Sequence, residues 1–172
     1  MKERFLCLCR RNYPFFCAVL AFVYGMSLFA ALNQSFPQPE ILPVRSALAT
    51  PHPALSFVAD YAKEVELFLP MASLSLMVSH PLFAYSFLFV RGLFCGFSSA
   101  ALFWWDIPFS FCAVYLVLHL AVLVAYTAMV YCLLPAINNR TPLAFAFPFF
   151  FYAGIIFLLC IIRNLVYYLL MK

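Results

Sequence analysis

Few side chains in this chain could do chemistry, and their types and spacing narrow the possibilities quickly. Asp106 is the only acid after residue 66, so acid–base catalysis in the second half would lack its second carboxylate. No Ser/His/Asp set and no glycine-rich phosphate loop is visible. His119 falls inside an apolar run and His80 beside a proline, and neither has Asp, Glu or Cys at metal-ligand spacing. Both are therefore expected to be hydrogen-bonded helix residues. Cys7 and Cys9 lack two further ligands for a metal. These residues predict a non-enzymatic protein with no catalytic residues, no cofactor and no metal.

Arg91 carries the most information. It interrupts an apolar run of about 22 residues, Leu82 to Phe103, and about 20 such residues let a helix cross ~30 Å of hydrocarbon. A guanidinium within such a run costs about 2.5–3.5 kcal/mol on insertion scales, so it faces protein or water and finds a partner. If the chain turns at His80-Pro81, Glu66 on the preceding helix falls about one turn from the level of Arg91. An Arg91–Glu66 pair is the expectation. The alternatives are an arginine lining a polar path or gripping an anionic headgroup.

The elements that hold these residues are membrane helices. Of 172 residues, 67% are hydrophobic and 9% charged, and the mean hydropathy is +1.02. Soluble domains have about 45–50% apolar and ~25% charged residues, so lipid must be the solvent for most of this chain. The net charge of +4 does not point to nucleic acid. Lys2, Arg4, Arg10 and Arg11 are four of the ten basic residues and precede the first apolar run, which is a topology signal. The seven cysteines lie in that basic segment or within apolar runs, so they read as small reduced residues and not as a disulfide framework.

The expected architecture is an all-α integral membrane protein, a single polytopic domain (14–172) of about five transmembrane helices after a basic cytoplasmic segment (1–13). The spans are 14–32, 61–79, 82–103, 109–134 and 143–162, the first an uncleaved signal-anchor, with an outside loop at 33–60. The weak span is 61–79. A helical pattern begins at Ala54 with Asp60, Lys63, Glu64 and Glu66 on its polar side, and if 61–79 is re-entrant the count falls to four. Pro70 should kink this helix. Residues 135–142 are expected as a polar turn and 163–172 as a tail. The positive-inside rule puts the N-terminus, the turn at His80-Pro81 and Arg140 in the cytoplasm of a multi-pass cell-membrane protein.

Gly92 and Gly96 form a G-x-x-x-G, which Ser99 and Ala100 extend as a small stripe along one helix face. Such a face lets another helix approach closely, in this chain, in a second copy or in a partner, and Gly25 does the same for the first span. If Phe83 and Phe87 face lipid, changes there should do little.

Residues 80–103 resemble the stage II sporulation protein M family. Members carry proline at a turn, then an apolar run with Phe, a basic residue, Gly and, further on, Gly-Phe. Pro81, Phe89, Arg91, Gly92, Gly96 and Phe97 match that pattern. His80 stands where that pattern has a glycine. The resemblance implies a membrane scaffold of the mother cell in endospore-forming bacteria, holding the peptidoglycan-degrading stage II sporulation proteins D and P during engulfment. The rival reading is a small transporter or permease subunit with Arg91 facing the substrate.

Overall fold

A computed structural model of the chain describes residues 12–35, 53–104 and 109–170. They form five helices: α1 (Tyr13–Ser35), α2 (Pro53–Val78), α3 (Leu82–Trp104), α4 (Phe109–Asn139) and α5 (Pro142–Leu170). The basic segment with Lys2 to Arg11, most of the expected outside loop, and Trp105 to Pro108 lie outside the described residues. The chain is an all-α polytopic membrane bundle. Four helices carry stretches long and apolar enough to cross a membrane: Tyr13–Leu32, Leu82–Ala101, Cys112–Asn139 and Leu143–Val166.

The doubtful second helix is one uninterrupted helix of 26 residues that Pro70 does not end. Only Phe68–Val78 is apolar, and that stretch is too short to span alone. Yet α2 does not turn back on itself. Tyr61 packs edge-on against Phe157 and Phe68 stacks on Phe149, both on α5, so α2 follows its neighbour antiparallel along its charged half as well.

Ring and hydrogen-bond pairs give the remaining directions. Tyr13 meets Tyr85 and Phe29 meets Phe97, so α1 and α3 are parallel. Phe87 packs on Tyr126 and Ser98 bonds Tyr115, so α3 and α4 are antiparallel. The 79–81 turn, the 140–141 turn and the start of α1 thus share one end of the bundle. Helices α2, α3, α4 and α5 form a ring in that order, and α1 lies outside it, mainly on α3.

At the centre of the ring each of the four helices contributes one aromatic ring. Phe68 contacts Phe87 at 5.1 Å, Tyr126 at 5.6 Å and Phe149 at 6.2 Å between centroids. Phe87 is buried in this core, so the condition that it faces lipid is not met. The fourth helix also continues through Pro135, where a turn was expected. Ala136 and Ile137 are buried beyond the proline, and membrane helices tolerate such prolines when neighbours hold the freed backbone. Likewise α5 carries on well past residue 162.

Phe68 is the ring common to all these contacts, so Phe68→Ala should be the most damaging single truncation in the core. The expected loss is about 3–5 kcal/mol, read as a lower unfolding midpoint in detergent. Truncating exposed Phe150 should change the midpoint little.

Candidate functional site

Two groups of residues distinguish this bundle from a set of packed apolar helices. The first is the seam between α1 and α3. Three of the chain's four glycines lie on it. A methyl built on Gly25 would collide with the carbonyl oxygen of Leu93, and one on Gly96 with that of Phe22. A methyl on Gly92 would come within 2.8 Å of the Ala18 carbonyl oxygen and 2.9 Å of Ala21 Cβ. Backbone meets backbone along this line, which is what small residues four apart allow in a membrane. Ser99 is buried and bonds its own helix at the Cys95 carbonyl, 2.7 Å, while Ala100 is half-buried at the end of the stripe. The G-x-x-x-G stripe is therefore occupied by a helix of the same chain. Gly154 on α5 differs, since a methyl there would meet nothing within 4 Å.

The second group is polar and lies between α3, α4 and α5. Arg91 is half-buried on α3, and Arg163, on α5, is buried. Both act electrostatically on Tyr115 and His119 of α4. Tyr115 and His119 stack with ring centroids 3.8 Å apart, and the Tyr115 side chain hydrogen-bonds Ser98 of α3. His119 Nδ1–H donates to the Tyr115 carbonyl at 3.2 Å, as expected of a helix histidine. Asn164 Nδ2 donates to the Cys160 carbonyl at 2.9 Å beside Arg163.

Glu66 is not among these residues. It is exposed on α2 while its neighbour two positions on, Phe68, is buried. Matching the level of two residues on adjacent helices does not match their faces: at ~100° per residue, two positions nearly reverse direction. Arg91 acts instead on Tyr115 and His119 of α4, as Arg163 does. Arg163 was expected in a tail after the last span. Its sequence signal is the stripe Ala153, Ile156, Cys160, Arg163, spaced three or four apart and buried throughout.

His80 and Pro81 form the turn between α2 and α3. Ser79 is left-handed (φ 54°), the His80 N–H donates to the Ser75 carbonyl at 3.0 Å, and the Ser79 N–H to the Leu76 carbonyl at 3.3 Å. This is a Schellman cap. The start of α3 is satisfied across the turn, where Ala84 N–H donates to Ser75 Oγ at 3.0 Å and Leu82 N–H to His80 Nδ1 at 3.2 Å. Among the described residues no group of three His, Cys, Asp or Glu side chains is placed to hold a metal. The five described cysteines are free thiols.

The two kinds of glycine should respond oppositely to one added methyl. Gly96→Ala forces a backbone apart and should destabilise by about 1–3 kcal/mol. Gly154→Ala meets open space and should be neutral or stabilise by up to about 1 kcal/mol through helix propensity. Unfolding midpoints of the two variants in the same detergent measure the difference.

Comparison with protein-family models, curated proteins and solved structures finds no match to this chain.

Proposed function

We propose that this chain is a non-enzymatic, multi-pass membrane scaffold of the stage II sporulation protein M type. In this reading its N-terminus is cytoplasmic and it lies in the mother-cell membrane. There it holds the peptidoglycan-degrading stage II sporulation proteins D and P, which act beyond the membrane. The supporting observation is the part the motif residues play. Pro81 precedes α3 in a capped turn, Arg91 acts electrostatically on Tyr115 and His119 of α4, and Gly92 and Gly96 bring α1 against α3. Each helps hold helices together. The centre of the ring is filled by Phe68, Phe87, Tyr126 and Phe149, as suits a rigid platform.

One observation favours the second reading, a small transporter. The Arg91, Tyr115, His119, Arg163 group is an intramembrane charge cluster, and such clusters often mark substrate paths.

Two experiments test these readings. In a Cys-free background, single cysteines at Ser46 and Asn139 should react with an impermeant reagent from opposite sides of the membrane. Labelling from one side only would remove α2 as a crossing helix, and the orientation with it. For the partners, the full chain should co-purify with the D and P proteins from co-expressing cells. Deleting Gln38 to Pro51 should weaken that capture while insertion continues. If neither protein is retained and vesicles containing the chain pass anions in an Arg163-dependent way, the transporter reading replaces the scaffold.

A further inference from the structure

The two inner turns are copies of one design. In the second, Arg140 is left-handed (φ 53°), the Thr141 N–H donates to the Ala136 carbonyl at 3.0 Å, and the Arg140 N–H to the Ile137 carbonyl at 3.4 Å. Each turn ends in a proline, Pro81 or Pro142, two residues after the left-handed position. A helix leaves its last four carbonyls without intrahelical donors, and a Schellman cap satisfies only two of them. The donor next in line for the Met77 carbonyl would be residue 81, a proline with no N–H. The N–H next in line for Val78 is that of Leu82, which is given to His80 Nδ1 instead. In α4 the Asn138 carbonyl meets the same obstacle at Pro142.

These helix ends sit side by side. Leu76, Met77, Val78, Ser79 and Arg140 line one open depression of about 420 Å³, within the ~300–1,000 Å³ of small-molecule sites. One wall is formed by Arg140, the one cationic residue of the lining. The other ends in helix carbonyls, with the partial negative charge of a helix C-terminus. Met77 in its lining and Leu143, three residues after Arg140, are among the most exposed apolar side chains of the described residues, at 82% and 88%. Polar turns beside exposed apolar residues at the ends of spanning stretches belong at the headgroup level.

We propose that this depression binds the headgroup of a phospholipid that carries a primary ammonium, the phosphatidylethanolamine class. The phosphate lies on Arg140, the ammonium donates to the carbonyls of Met77 and Val78, and the acyl chains follow Met77 and Leu143. A choline headgroup has the same charges but no N–H to donate, so it satisfies only the arginine. A purely anionic headgroup meets the arginine but is opposed by the helix ends. The site is independent of the scaffold reading, because it rests on the turns alone.

The test uses the full purified chain and native mass spectrometry of lipids retained from equal mixtures with matched acyl chains. Phosphatidylethanolamine should be retained over phosphatidylcholine by at least about fivefold, the share of even one of its two hydrogen bonds at ~1 kcal/mol. Stepwise N-methylation of the ethanolamine should lower retention mainly at the second and third steps, which leave fewer than two N–H groups for the two carbonyls. R140Q should reduce retention of both lipids, while R140K keeps the ethanolamine preference. Equal retention of the two lipids by the native chain, or a flat methylation series, overturns the proposal. So does an R140Q chain that binds as the native one does. Should R140Q fail to fold, the methylation series on the native chain decides alone.

Discussion

The arrangement of this bundle depends on how closely α1 approaches α3. The carbonyls of Leu93 and Phe22 lie where side chains on Gly25 and Gly96 would have to be. In lipid there is no hydrophobic force pulling helices together, so contact at backbone distance is one of the few strong attractions available. Because the two helices are parallel, the chain must return to its starting end between them. That return is α2, and it explains why a helix with four charged residues over 60–66 still lies along the bundle. The ring of α2 to α5 then closes with all its sequential neighbours antiparallel.

Charge inside the bundle follows a different logic from the seam. Arg91 and Arg163 come from separate helices, and both act on the stacked Tyr115 and His119 pair. Ser98, Tyr115 and Asn164 bring hydroxyl and amide dipoles into the same region. Polar groups buried in low dielectric interact strongly with one another, so this patch tolerates substitution less readily than the aromatic core, where shape and volume suffice. The bundle thus has an apolar part fixed by ring packing and a polar part fixed by direction.

Much of this was legible in the sequence, and the misses have physical causes. Four spans, the turn at His80-Pro81, the hydrogen-bonded His119 and the small stripe all follow from run length and helical period. Period shows which residues share a face, but an evenly apolar run does not show which face meets a neighbour. Such a run does not tell that Phe87 is buried, and the level of Glu66 beside Arg91 does not tell that Glu66 is exposed. A charge at the end of an apolar run reads as the start of a tail, yet the stripe from Ala153 through Cys160 runs straight to buried Arg163. Pro135 likewise reads locally as a turn, while the burial of Ala136 and Ile137 beyond it depends on packing.

The seam also has a consequence for how the protein is made. Helix α1 leaves the ribosome first, but the surface it fits is on the second helix after it. Until α3 has entered the bilayer, α1 stands with lipid on every side and its Gly25 notch unfilled. Its sequence suits that wait: Val19, Leu20, Val23 and Tyr24 remain lipid-accessible even in the finished bundle. Assembly therefore cannot proceed strictly in the order of synthesis. The most extensive helix contact joins α1 to a helix made two places later, across the intervening α2.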